Sequence, residues 1–150
     1  MRPAFTLIEA IVVIGLMAVI SVSAVTVSLR SVRSQDLSAA TARLQSALKL
    51  AQTNALAGRT NCVTGSLLGW QITLGVSSYT LSGICTDNSV FDTKTENYSP
   101  SGSVKITAFP SPNPILFKAL GHGTTILDTT TITLGLSGLT RNIICTRDRC

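Results

Sequence analysis

The sequence contains few aromatic, charged and histidine residues, and each shortage excludes a class of protein. Only four Phe, two Tyr and one Trp occur among 150 residues, so leucine, isoleucine and valine must fill the core. Charged residues make up 13% of the chain, too few for a coiled coil. An apolar content of 45% is too high for a disordered chain. The length and composition therefore predict about one globular domain.

Groups that could build a catalytic site are also missing. The single histidine, His122, lies in a Gly-His-Gly sequence typical of a turn. The chain contains no paired carboxylates, no Ser/His/Asp set and no glycine-rich loop for phosphate. We therefore expect no enzymatic activity and no cofactor.

The chain contains enough cysteines to form disulfides. The four cysteines are Cys62, Cys85, Cys145 and Cys150. Their even number suits two disulfides in an oxidising compartment, and a domain with so small a core gains from such links. They lack C-x-x-C spacing, so we expect no metal site. Four cysteines allow three pairings; we favour Cys62 with Cys85 and Cys145 with Cys150, because these close short loops, and the other two stay open.

The long hydrophobic run at the N-terminus carries most of the functional information. Between Phe5 and Leu29 the only charged residue is Glu9. As a helix, the 20 uncharged residues from Ala10 to Leu29 would extend about 30 Å, the thickness of a bilayer's hydrocarbon core. The run could be a transmembrane anchor, a secretory signal cleaved after Ala24, or a helix that packs against copies of itself. Glu9 favours the third interpretation, because a carboxylate among apolar residues is costly without a functional partner.

The segment Phe5-Thr-Leu-Ile-Glu9, behind a short basic leader, resembles the prepilin processing motif of type IV pilins and type II secretion pseudopilins. The resemblance implies that a prepilin peptidase cleaves between Ala4 and Phe5 and that Phe5 becomes the N-methylated terminus. Ala4 departs from the family's usual glycine. Glu9 would then neutralise the new amine of an adjacent subunit during assembly, and its place in the first helical turn suits the helix dipole.

The same resemblance implies a location and a set of partners. The chain would cross the inner membrane once before assembly and afterwards form part of a periplasmic pseudopilus or an extracellular pilus. Its partners would be other pilin or pseudopilin subunits, the prepilin peptidase and an inner-membrane assembly platform. No cofactor is implied.

The rest of the chain predicts a helix followed by strands. Neither glycine nor proline occurs between Gly15 and Gly58, which predicts one long helix that ends at Gly58. After Arg30, apolar residues recur every three or four positions. We predict strands near Cys62–Val63, Trp70–Leu74, Ser78–Ile84, Val104–Ala108, Ile115–Ala119, Thr130–Leu134 and Arg141–Cys145, with a polar surface loop over Thr86–Ser103.

These elements predict an α+β fold of the pilin type. A long N-terminal helix, its first half transmembrane or in a filament core, would pack on an antiparallel β-sheet head domain. The segments would be a leader at 1–4, a hydrophobic helix at 5–29, an amphipathic helix at 30–58 and a β-rich head at 59–150. We expect Trp70 to lie in the core of the head.

The order of segments from Leu44 onward is similar to that of pseudopilin H and the T-type minor pilins. Some T-type minor pilins are linked to DNA uptake through a C-terminal Arg-x-Arg element. Arg147 and Arg149 match that spacing, although Asp148 lies between them, and we expect Arg141 close by. The net charge of +5 permits an anionic partner. Our leading hypothesis is therefore a structural subunit of a pilus or pseudopilus; the alternative is a minor pilin that binds DNA.

Overall fold

The computed structural model describes residues 6–147 and 150, except for the side chains of residues 20–29. Its elements are helix α1 (Leu7–Leu56), a 3₁₀ turn (Ala119–Gly121) and strands β1 (Leu67–Leu74), β2 (Ser78–Cys85), β3 (Val90–Asn97), β4 (Lys105–Ala108), β5 (Ile115–Lys118), β6 (Thr130–Leu136) and β7 (Leu139–Cys145). The chain divides into two compact units between Gln35 and Asp36. We call residues 36–150 the head unit.

The helical part of the head unit buries one apolar stripe. Its buried apolar residues are Leu37, Ala40, Leu44, Ala47, Leu48, Ala51 and Ala55. Steps of three and four residues place these side chains on one helical face, as the sequence predicted. They share a single core with inward-facing residues of the strands, including Ile72, Ile132 and Ile143. The stripe therefore serves as the common support of the head unit.

The strands form two antiparallel sheets. The first has the order β3-β2-β1-β5, and the second has the order β4-β6-β7. In the first sheet, Trp70 of β1 lies opposite Gly83 of β2 and Phe117 of β5. In the second, Ile132 lies opposite Ile143. Strands β3 and β5 therefore occupy opposite edges of the first sheet.

Helix α1 ends at Leu56, two residues before Gly58, where the sequence predicted its end. Gly58 has a φ of 62°, in the left-handed region that glycine adopts without steric cost. The amide of Arg59 donates to the carbonyl of Asn54 at 3.0 Å, and the amide of Gly58 donates to that of Ala55 at 3.2 Å. These two bonds are the pattern of a Schellman motif, which satisfies the last carbonyls of the helix.

The predicted transmembrane helix is wrong, and with it the fold class as we stated it and the single-pass inner-membrane location. Within the described part of the chain, no helix is both long and apolar enough to cross a membrane. The helical residues with described side chains form two stretches, 7–19 and 30–56. The first has apolar side chains that are exposed. The second is apolar on one face only, so it cannot contact lipid all round.

The strand predictions need two corrections. Residues Cys62–Val63 form no strand, and Val90–Asn97 form β3 inside the predicted loop. The polar composition of β3 hides it from sequence reading: as an edge strand it exposes most of its side chains and is held by backbone pairing with β2. The predicted strands near Trp70, Ser78, Val104, Ile115, Thr130 and Arg141 are confirmed, with ends shifted by a few residues.

Trp70 lies in the core as expected and is held by two contacts. Its indole nitrogen donates to the carbonyl of Arg59 at 2.9 Å. The ring of Phe91 meets it edge to face, with centroids 5.5 Å apart. Phe91 in turn lies directly over Gly83, where a β-carbon would collide with its ring. The one aromatic residue of a mostly polar strand therefore packs on Trp70 and needs a glycine beneath it.

We predict that Gly83→Ala destabilises the protein by about 1–3 kcal/mol, because the new methyl group displaces the Phe91 ring. Chemical denaturation measures the change. In the Phe91→Ala background the same substitution should cost much less, since the colliding ring is gone. Equal costs in both backgrounds would contradict this account of Gly83.

Candidate functional site

The N-terminal turn of α1 gives Glu9 a partner within its own chain. The carbonyl of Thr6 accepts from the amides of Glu9 at 3.1 Å and Ala10 at 3.3 Å, so Thr6 caps the helix. Glu9 Oε2 accepts from the Thr6 hydroxyl at 3.1 Å and from the Thr6 amide at 3.4 Å. The spacing Thr-x-x-Glu is the sequence signature of a capping box, a signal that our reading of Glu9 missed. Ala4 and Phe5, the predicted cleavage and methylation residues, lie outside the described residues.

The first stretch of α1 exposes apolar side chains on every side. Exposure ranges from 43% for Val13 to 79% for Leu7. The exposed large apolar residues are Leu7, Ile8, Ile11, Val12, Val13, Ile14, Leu16, Met17 and Val19. At 3.6 residues per turn these positions cover the whole circumference of the helix. A helix that is apolar all round requires an apolar environment.

Both disulfides favoured by the short-loop argument are present. Cys62 pairs with Cys85, and Cys145 pairs with Cys150. Cys85 and Cys145 are fully buried, so each link ties a surface segment to the end of a core strand. The first fastens the segment after α1 to β2. The second closes a five-residue loop at the C-terminus.

A hydrogen-bonded cluster around Asp87 supports the Cys62–Cys85 link. The Asp87 carboxylate accepts from the hydroxyl of Thr64 and from the amide and hydroxyl of Ser89, the latter two at 3.0 and 2.6 Å. The Ser66 amide also donates to the hydroxyl of Thr86 at 3.1 Å. The hydrogen bonds from Ser89 and then Thr64 lower the pKa of Asp87 to about 2. The ionised carboxylate therefore joins the two segments that the disulfide links.

The C-terminal disulfide loop presents Arg147 at the mouth of a small cleft. Arg147 is exposed, and its carbonyl accepts from the hydroxyl of Thr124 at 3.2 Å. The cleft has a volume of about 110 Å³ and is also lined by Lys118, Gly121 and Gly123. Sequence reasoning missed Lys118, because only the pairing of β5 with β1 and the turn at 119–123 bring this lysine to the loop. Arg149 lies outside the described residues.

Arg141 is not brought to this cleft. It lies opposite Leu134 near the start of β7, and its guanidinium donates to the hydroxyl of Ser38 at 3.4 Å. Cys145 lies four residues further along the strand, or about 13 Å away. His122 lies in the turn before the cleft, where its amide donates to the carbonyl of Ala119 at 3.3 Å. The described basic pair is therefore Arg147 with Lys118.

The depressed pKa of Asp87 makes part of the stability depend on pH. A carboxyl group whose pKa falls on folding stabilises the protein above its unfolded pKa, near 4, and loses that contribution as the pH falls towards about 2. We predict that Asp87→Asn is less stable than the parent at neutral pH and that the difference shrinks between pH of about 4 and 2. Denaturation midpoints measured across this range provide the test. Asp36→Asn, on an exposed part of α1, is the matched control; an Asp87 difference that is constant with pH would contradict the prediction.

Comparison with known proteins gives no match, because no family model, no curated protein and no solved structure matches the chain. The resemblance to pilins therefore rests on the sequence motif and on the order of the segments. The geometry to be explained consists of an apolar helix stretch with one carboxylate, a disulfide-linked head unit and a basic cleft at its C-terminus.

Proposed function

We propose that this chain is a structural subunit of a filament of the type IV pilus or type II secretion pseudopilus class. A prepilin peptidase cleaves it between Ala4 and Phe5, and the chain then polymerises through the apolar stretch of α1. Its partners are other pilin or pseudopilin subunits and the assembly platform. The protein has no catalytic task in this role.

The observation that carries the proposal is the exposure of apolar side chains around the whole first stretch of α1. Burying a single leucine or isoleucine side chain contributes about 1.5–3 kcal/mol, so covering several in each subunit provides a strong drive for association. Helices of neighbouring subunits supply apolar surfaces of the same kind. The head unit keeps its own core, so association through the helix leaves its fold intact.

Glu9 sets the alignment of neighbouring helices in this proposal. Both hydrogen bonds from Thr6 end on Oε2 of the carboxylate, so neither of them occupies Oε1. The amine that cleavage creates at Phe5 of an adjacent subunit pairs with this carboxylate. An unpaired charge buried among apolar helices costs about 3–5 kcal/mol, so registers that separate the amine from Glu9 are disfavoured.

Two substitutions distinguish the charge of Glu9 from its capping role. Glu9→Gln keeps an oxygen that accepts from Thr6 but has no negative charge to form an ion pair with an ammonium group. Thr6→Val removes the hydroxyl that donates to Glu9 but leaves the carboxylate. We predict that Glu9→Gln lowers filament yield at least about tenfold, while Thr6→Val changes it little. Yield is measured by sedimentation and electron microscopy.

Mass spectrometry of the assembled material completes this test. The proposal requires a mature chain that begins with N-methylated Phe5. Filaments containing the intact leader would contradict the processing step. Equal losses for Glu9→Gln and Thr6→Val would instead assign Glu9 to capping alone.

A second function, DNA binding during uptake, is favoured by the cleft at the C-terminal loop. Arg147 and Lys118 line the same cleft, and the disulfide loop limits the conformational entropy that Arg147 loses on binding. Backbone amides of the glycine-containing turn add groups of a kind that contacts phosphate in other proteins. In this alternative the filament binds DNA at the cleft, and Arg149 remains a candidate from the sequence alone.

We predict that Arg147→Glu and Lys118→Glu each weaken retention of double-stranded DNA and lower the slope of log affinity against log salt by about one. Filter retention at several salt concentrations measures both effects. Lys49→Glu, an exposed lysine of α1 outside the cleft, controls for net charge. If all three substitutions weaken binding equally, the effect is one of total charge, and the cleft is not a DNA site.

A further inference from the structure

A groove lies between α1 and the outer half of the first sheet. Its volume is about 240 Å³, and α1 contributes Arg43, Ala47 and Leu50 to its lining. The sheet contributes Leu81 of β2 and Lys94 of β3. The groove exists because a four-stranded sheet is about 14 Å wide between its outer strands, whereas one helix is about 10 Å in diameter. Helix α1 therefore leaves the β3 edge uncovered.

The groove has an apolar floor and a positively charged rim. Leu81 and Tyr79 are buried, while Leu50 is 48% exposed along one wall. Glu96 Oε2 accepts from the Tyr79 hydroxyl at 2.6 Å, and its Oε1 pairs with Lys94 Nζ at 2.6 Å. Glu96 is thus already engaged at both oxygens. Arg43 and Lys94 contribute two positive charges and Glu96 contributes one negative charge, so the rim keeps a net positive charge.

A complementary exposed segment, Leu127–Asp128, which we call the tip, lies beyond the opposite edge of the same sheet. After β5, Ile126 is buried, whereas Leu127 is 87% exposed and Asp128 is exposed beside it. The base of this tip is held by the amide of Thr125, which donates to the carbonyl of Leu116 at 2.9 Å, and by the amide of Ile126, which donates to the Thr124 hydroxyl at 3.2 Å. Lys94–Glu96 is the only ion pair among the described residues, so Asp128 is not neutralised there.

We propose that the Leu127–Asp128 tip of one subunit inserts into the groove of the next, with Leu127 against Leu50 and Leu81 and with Asp128 between Arg43 and Lys94. This inference rests on the proposed filament function and names a contact between its head units. An apolar residue followed by a carboxylate matches an apolar floor beside a basic rim. Because tip and groove occupy opposite edges of one sheet, the contact is heterologous: each subunit offers its tip to one neighbour and its groove to the other, so the contact repeats in one direction.

Mixed-isotope cross-linking tests the contact directly. Filaments are assembled from equal amounts of unlabelled and ¹⁵N-labelled full-length chain and treated with a carbodiimide, which condenses a carboxylate with an amine and releases the oxygen in the urea by-product. We expect Lys94–Asp128 peptides in which one half is labelled and the other is not. The Lys94–Glu96 link within one chain shows in the same sample that the reagent reaches Lys94.

Substitutions then test whether the contact contributes to assembly. Leu127→Ser and Asp128→Arg should each lower the assembled fraction several-fold, and Arg43→Glu combined with Asp128→Arg should restore much of the loss. Val76→Ser and Asp36→Arg, also at exposed positions, are matched controls and should leave assembly unchanged. Circular dichroism establishes that each variant is folded.

The outcomes separate this contact from the filament function. If filaments form but contain no mixed-isotope Lys94–Asp128 link and tolerate the tip substitutions, the contact is overturned and the filament function stands. If the processed chain remains monomeric under all assembly conditions, both are overturned. Restoration by the charge exchange, together with the mixed link, supports the contact.

Discussion

The head unit depends on the packing of one helical stripe, Leu37 to Ala55, into a core shared by two sheets. A sheet with one apolar face must bury that face against another element. Here a single helix face contributes to the core of both sheets. The small residues Ala40, Ala47, Ala51 and Ala55 let the strands approach closely, while Leu37, Leu44 and Leu48 fill the space between them. The two disulfides then attach the polar segments that this core cannot hold.

Much of the head unit was predictable, because its signals are local. The apolar spacing after Arg30, the stop at Gly58 and the short-loop pairing of the cysteines each involve residues close together in sequence. Strand β3 was not predictable, since its side chains are mostly exposed and its support is a backbone ladder with β2 plus side-chain contacts such as Phe91 with Trp70 and Glu96 with Tyr79. Lys118 was missed for a related reason: only the folded β5 turn brings it near Arg147. Thr6-x-x-Glu9 is different, because its capping signal was visible in the sequence.

The missed strand also explains the groove. Had residues 86–103 formed a loop, the sheet would be three strands wide, and one helix would nearly cover it. Adding β3 extends the sheet beyond the helix and places Lys94 and Glu96 on the face that α1 leaves uncovered. Charged residues on such an edge oppose pairing with another strand through the backbone. The edge is therefore suited to side-chain contacts with a partner and resists extension of the sheet.

Under the proposed filament function, the N-terminal turn would serve both the isolated chain and the assembly, because the two situations demand different strengths of interaction. In water, Glu9 is exposed, and the cap it forms with Thr6 is of a kind that contributes about 0.5–2 kcal/mol. Among packed apolar helices, the same carboxylate would face a cost of about 3–5 kcal/mol unless a cation reached it. A hydroxyl and an amide on Oε2 cannot offset that cost alone. The cap therefore stabilises the start of the helix while Glu9 is exposed. The negative charge that remains on the Glu9 carboxylate makes burial of this side chain conditional on an incoming amine.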